Sequence, residues 1–238
     1  MNLSRDFTLK IHYILDQLLN PVIRDSYYFM KFPMKLFFSK KYKEIMQFKK
    51  NLPYMTEEQY VDFYRETAPY HMSRDTDLNK KSISFILDNT IGESVLDIGC
   101  GRAFLVNKIY TKNRDIKIYG MDIVISKEMK NKNPNINFIE GSVEQVPFDD
   151  ASVDTVICTH VLEHVIDMQR AIREIRRVAK KRIIIVVPSQ RSYLYTFDLH
   201  VRFFPYVHSF LLEMMPLSNK KTFCVKVDGD IYYQEEVG

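Results

Sequence analysis

The run Val95-Leu96-Asp97-Ile98-Gly99-Cys100-Gly101-Arg102 constrains this chain more than any other segment. It reads as a buried strand that opens into a glycine loop and then into a helix. Glycines let a ligand approach the backbone, and a helix N-terminus presents N–H groups that have no partner within the helix. Strand, acid, two glycines and helix in this order specify a site for a nucleotide-like ligand, with a plain tight turn as the bland alternative. In open α/β sheets such sites lie at the carboxyl ends of the strands.

From Ser94 onward, short apolar runs alternate with helical patterns, the signature of a parallel sheet covered by helices on both faces. The pattern predicts strands near Ser94–Ile98, Lys117–Met121, Asn137–Ile139, Thr155–Cys158 and Arg182–Val187. The clearest helix is expected from Val161 to Ala179, where Val161, Val165, Met168, Ile172, Ile175 and Val178 follow helical spacing. A further helix is expected from Phe203 to Met215. Asp228-Gly229 between the alternating runs Thr222–Val227 and Asp230–Gln234 is a hairpin signal. The expected fold is therefore α/β: a Rossmann-like, mostly parallel sheet with an antiparallel C-terminal hairpin, preceded by a helical segment.

That leading segment, residues 1–52, is set apart by charge. Its ten bases (Arg5, Lys10, Arg24, Lys31, Lys35, Lys40, Lys41, Lys43, Lys49, Lys50) face four acids (Asp6, Asp16, Asp25, Glu44), although the whole chain carries only +4. Phe7, Ile11, Ile14, Leu15, Leu18 and Val22 recur on one helix face, with Pro21 expected to end or kink the run. Aromatics mixed with lysines follow, from Tyr27 to Lys50. Leu52-Pro53 reads as a junction and Thr56 as a helix cap, so the main domain is expected over 53–238. The leading segment reads as a lid, a homodimer element or a membrane-surface helix pair in peripheral contact with lipid. Cys100, Cys158 and Cys224 show no disulfide or zinc spacing, and no apolar run is long enough to span a bilayer, which together point to the cytoplasm.

Two ligands compete for the glycine loop. A dinucleotide fingerprint needs a third glycine where Phe104 stands, and Asp97 would repel a pyrophosphate. The same carboxylate attracts the amino group or sulfonium side of S-adenosylmethionine, which is therefore the expected cofactor. Past the loop, Tyr119-Gly120-Met121-Asp122-Ile123 places Asp122 at a strand end, where a carboxylate accepts hydrogen bonds from ribose hydroxyls. Taken alone, such a strand-end aspartate is more often a helix cap, so its functional reading depends on the glycine loop before it.

These motifs, with Phe138-Ile139-Glu140-Gly141-Ser142-Val143-Glu144, Val146-Pro147-Phe148, Ser152-Val153-Asp154, Val161-Leu162-Glu163-His164-Val165, and Glu174 with Arg177-Val178, resemble the class I S-adenosylmethionine-dependent methyltransferases related to the ubiquinone-pathway O-methyltransferases, the type 11/12 group. The resemblance covers roughly residues 74 to 190. It implies that Asp97, Gly99, Cys100, Gly101, Asp122, Ile123, Ser142, Val143 and Thr159 surround the cofactor, Ser142 and Val143 flanking the adenine. Arg74 lies where similar enzymes cover the methionine end; the alternative is pairing with Asp75 or Asp77. Three departures stand out: Ser142 where the family carries Asp, Ala103 where a loop glycine is frequent, and Lys180-Lys181-Arg182 where a Gly-Gly turn often precedes the fifth strand.

Cys158-Thr159-His160-Val161-Leu162-Glu163-His164 should face the cofactor. His160 is expected to line the pocket; sharing a helix face with His164, and with Glu163, it would also have the donors for a metal, the less favoured reading. After the fifth strand, Asp198 and His200 form a candidate acid–base pair, with His200 deprotonating an acceptor hydroxyl and Asp198 orienting the ring. The rival reading is that they tie a loop to the basic appendage. The expected activity is O-methylation of a small or lipid-linked metabolite, sugar or quinone-like. A cofactor-binding regulator without turnover and a nicotinamide-dependent oxidoreductase are the rivals. Nucleic acid is disfavoured as a partner, because no Asn-Pro-Pro-Tyr-like element follows the fourth strand and the positive charge sits in an amphipathic segment.

Overall fold

The computed structural model describes residues 11, 13–71, 75–195, 197–215 and 221–237. The chain divides into two compact units, a helical unit of Met1–Arg74 with Gln190–Phe203 and a sheet unit of Asp75–Ser189 with Phe204–Gly238. The division thus does not fall at 52/53, and the segment after the fifth strand groups with the leading helices.

In the sheet unit the strands are β1 (Ser94–Ile98), β2 (Lys117–Asp122), β3 (Asn137–Glu140), β4 (Val153–Thr159), β5 (Ala179–Pro188), β6 (Thr222–Val227) and β7 (Asp230–Glu236). Among the described residues they form one seven-stranded sheet in the order β3-β2-β1-β4-β5-β7-β6. The first five pair in parallel; β7 pairs antiparallel with β5 and with β6. This is the expected mostly parallel sheet with its C-terminal hairpin. Asp228 (φ 44°) and Gly229 (φ 93°) form the tight turn, which needs positive φ at both positions. β5 begins earlier than expected, because Ala179, Lys180 and Lys181 extend the strand ahead of Arg182: Lys181 pairs with Asp154 at 2.9 Å and Arg182 with Glu236 at 3.4 Å.

Strand alternation divides the core between the two sheet faces. Leu96, Ile98, Val156, Cys158, Ile183 and Ile185 belong to one cluster, and Val95, Ile157, Ile184, Val186 and Tyr232 to the other. The first is covered by the helix Met168–Val178, which buries Met168, Ala171, Ile172, Ile175 and Val178. Each large apolar side chain contributes about 1.5–3 kcal/mol. This helix does not start at Val161. A 3-10 turn, Leu162–His164, comes first, then Val165 is extended (ψ 135°) and Asp167 caps the helix by accepting from Arg170 N at 2.9 Å. The later helix spans Val207–Met214 instead of starting at Phe203, with Tyr206 extended at its N-cap.

In the helical unit the order is α1 (Pro21–Arg24), α2 (Tyr27–Phe38), α3 (Tyr42–Asn51) and α4 (Glu57–His71), preceded by a π-turn, Ile14–Leu18. The expected single helix with one buried stripe is not present over the described part of that run; Phe7 lies outside the described residues. Leu19 is extended, Asn20 caps the next helix, and Pro21 starts it instead of ending the previous one. A proline tolerates the first helical position because its missing N–H has no intrahelical partner there. Broken in this way, the run buries Leu15 but leaves Ile14, Leu18 and Val22 exposed. Thr56 does cap α4: its hydroxyl accepts from Gln59 N, and Gln59 Oε1 accepts from Thr56 N. The unit's core joins Met30, Met34, Phe38, Ile45 and Met46 to Tyr193 and Tyr195. No helix among the described residues is long and apolar enough to cross a membrane.

Candidate active site

The order in which successive strands are added reverses between β1 and β4, the point at which open α/β sheets leave a crevice beyond their carboxyl ends. At the end of β1, the N–H groups of Gly99 and Cys100 both donate to the carbonyl of Met121, at 2.7 and 3.0 Å, folding the loop toward β2. Gly99 has φ 76°, and a Cβ there would run into the side chain of Val161. Gly101, at φ 50°, has no described atom within 4 Å of where a Cβ would stand. The first glycine is thus required by packing; the second borders open space. Ala103 takes the left-handed conformation (φ 65°) immediately before the helix Phe104–Lys112, which explains physically why glycine suits that position.

Asp97 lies under this loop and is 1% exposed. Its Oδ1 has no hydrogen-bond partner among the described residues. Burial, and then the Asp122 carboxylate, push its carboxyl up to about 8. Asp122 is raised too, by burial, against the hydrogen bond that its Oδ2 accepts from Gly101 N at 2.9 Å. The expected ribose ligand therefore also fastens the glycine loop. Next to them the buried Cys100 thiol is pushed up by desolvation and by the two aspartates. A buried carboxylate without a partner, beside a second acid, is costly unless a cation meets it.

The other expected cofactor contacts line up along neighbouring strand ends. Ile123 follows Asp122, and Ser142 follows β3 with its hydroxyl accepting from Glu144 N at 3.2 Å. Val143 is buried. The turn carrying them is held from behind: Glu174 accepts from Val146 N, and Arg177 donates to the carbonyls of Val146 and Phe148 while pairing with Glu174 at 2.7 Å. Thr159 ends β4. Arg74 lies outside the described residues.

His160 follows at φ 53°, a left-handed conformation that costs a non-glycine residue about 1–2 kcal/mol. Its N–H continues the ladder to Val186 O at 2.8 Å. With the helix start displaced to Met168, His160 and His164 do not share a helix face, so the spacing argument for a metal is removed. Instead, His160 Nδ1 lies 3.3 Å from the buried Glu163 and Nε2 3.7 Å from Asp230. Burial opposes its charge, but Glu163, Asp230 and Asp77 outweigh that and raise the imidazole to about 9. It is an imidazolium at neutral pH and holds its proton instead of accepting one. Asp230 is a partner of His160 that sequence reasoning missed. It accepts from Asn79 Nδ2 at 2.6 Å and from Ser82 Oγ at 3.1 Å. In sequence it flanks a hairpin turn, and nothing local signals the contact.

Asp198 and His200 do come together, in the helical unit. His200 Nδ1 is 3.3 Å from Asp198 Oδ2 and 2.7 Å from Gln190 Oε1. Around them the same segment is tied to the leading helices: Arg24 donates to Ser192 O at 2.9 Å, Lys49 to Tyr193 O at 2.7 Å, and Leu194 N to Asp25 at 2.8 Å. Desolvation lowers Lys49 to about 8 against the attraction of Asp198 and Asp25. These contacts support the loop-tying reading of the pair.

Sheet order and glycine loop define a Rossmann-like, mostly parallel α/β fold. In agreement, residues 96–187 match the family described as "Methyltransferase domain". A probable S-adenosylmethionine-dependent methyltransferase of Mycobacterium tuberculosis is 29% identical over 86 residues, covering 36% of this chain and 31% of that protein. The demethylmenaquinone methyltransferase of Paenarthrobacter aurescens is 30% identical over 118 residues, 46% of each chain. The match thus spans less than half the length of these curated relatives. Among solved structures, a SAM dependent methyltransferase from Aquifex aeolicus superposes with a TM-score of 0.52 at 15% identity, covering 77% of this chain and 100% of that one, a likeness of fold.

Proposed function

We propose that this chain is an S-adenosylmethionine-dependent methyltransferase acting on a hydroxyl of a small or lipid-linked acceptor, sugar-like or quinone-like. The observation that carries it is Asp97, a buried carboxyl with an oxygen that has no partner among the described residues, beneath a glycine loop with no described atom near Gly101. A cationic cofactor fits this site, and a pyrophosphate does not. S-adenosylmethionine supplies an electrophilic methyl group on a sulfonium. Asp97 would meet its positive charge, Asp122 its ribose hydroxyls, and Ser142 and Val143 its adenine. The names of the relatives support the cofactor, and the demethylmenaquinone enzyme supports a quinone-like acceptor. His160, held between Glu163 and Asp230, would line the acceptor side of the pocket as a positioning residue, and positioning alone can supply much of the rate of a methyl transfer.

Calorimetry tests the cofactor. S-adenosylmethionine and its demethylated product should bind, NAD should not, and Asp122→Ala should weaken binding by roughly 1–3 kcal/mol. NAD binding with no binding of the methyl donor would overturn the reading. Transfer of labelled methyl to panels of sugars and phenols then tests the acceptor class.

A further inference from the structure

Among the described residues, the helical unit has an apolar helix face that is exposed. On α2, Met30, Met34 and Phe38 recur every fourth residue and are buried. The opposite face carries Tyr28, Phe32 and Leu36, also every fourth residue, and these are 87%, 77% and 70% exposed. A helix that is apolar on both faces implies a second covered surface.

The charge beside this face selects what covers it. From Ser26 to Lys43 the chain has five lysines (Lys31, Lys35, Lys40, Lys41, Lys43) and no Asp or Glu. Lys41 pairs with Glu44 and Glu66, but Lys31, Lys35 and Lys40 are exposed, and Lys31 and Lys35 flank the Tyr28, Phe32, Leu36 stripe. A second copy of this chain, meeting the face across a two-fold axis, would set the same lysine-bearing surface against itself. An anionic lipid surface meets both demands: apolar side chains enter the headgroup boundary, while lysine stems lie along it and carry their ammonium groups to the phosphates. We propose that α2 docks flat on an anionic bilayer surface through Tyr28, Phe32 and Leu36, with Lys31, Lys35 and Lys40 as its electrostatic contacts.

The full chain is sedimented with vesicles of phosphatidylcholine, with and without phosphatidylserine. This readout needs neither cofactor nor turnover, so its outcome is separable from the methyltransferase reading. Binding to the phosphatidylserine vesicles is expected, weakened by salt. Neutralising lysines to glutamine should cost roughly fivefold in binding for each one. Phe32→Ser with Leu36→Ser should abolish binding without lowering the melting temperature, since both side chains are exposed. Failure of the full chain to bind the anionic vesicles, or undiminished binding by the Phe32→Ser, Leu36→Ser variant, would overturn the proposal. A dimer in sedimentation velocity that this variant dissociates would give the face to a second copy instead.

Discussion

Replacing Asp97 by Asn should make the unliganded protein more stable at neutral pH while weakening its hold on the cofactor. Its carboxyl, ordinarily at 3.8, is pushed up to about 8. Between those values the folded chain keeps a proton that the unfolded chain has released. With more protons bound in the folded state, stability falls as pH rises, by about 1.4 kcal/mol per pH unit, and the penalty vanishes below the unfolded value. At about pH 7 it amounts to roughly 4 kcal/mol, and it levels off near roughly 6 kcal/mol once the folded group has also ionised. Asn removes the titration but buries an amide donor without a partner, at a cost of about 1–3 kcal/mol. The variant should therefore be level with or slightly less stable than the natural chain near about pH 5, and about 1–3 kcal/mol more stable at about pH 7. Urea unfolding of both proteins across that range, without cofactor, reads the difference directly. A stability difference that stays flat with pH would refute the reasoning, because it would mean that Asp97 ionises as readily folded as unfolded. Binding should show the converse: a cation that meets Asp97 favours its ionised form, so association near neutral pH should release a proton, visible as buffer-dependent heat.

The remaining predictions follow from the same loop and its neighbours. Gly99→Ala should destabilise the fold, since its methyl meets Val161 at positive φ, whereas Gly101→Ala should cost about 1–2 kcal/mol of stability and lose cofactor affinity by filling open space; equal effects of both on unfolding and binding would contradict this division. The imidazolium of His160, ordinarily at 6.5 and raised to about 9, contributes stability that is complete below about pH 6.5 and lost as pH rises through about 9. Asp230→Asn should shift the imidazole titration downward in NMR, and an unmoved titration would dismiss the pair. His200→Ala should lower melting through the lost Asp198 and Gln190 contacts and leave cofactor affinity unchanged; a fall in turnover at unchanged stability would assign it to the acceptor.

The sequence by itself determined whatever rests on neighbouring residues. Alternating runs located the strands, β1 and β6 to the residue, because a strand's buried face repeats within a few positions. Asp228-Gly229 specified its turn and Thr56-Gln59 its cap, since both depend on the backbone conformation and hydrogen bonds of adjacent residues. The loop Asp97 to Gly101 marked the candidate site for the same reason. Only the tertiary structure decided the rest. Apolar spacing from Val161 to Val178 looked continuous, yet the chain breaks before Asp167, because Leu162, in a 3-10 turn, and the extended Val165 reach the same core as the helix without belonging to it. The stripe of the leading segment lost its single face once Asn20 and Pro21 restarted the helix. His160 met Asp230, and residues 190–203 joined the leading helices, through contacts between positions far apart in the chain. Spacing along a chain reports which residues share an element's face, but the partner that covers the face is chosen only when the elements pack.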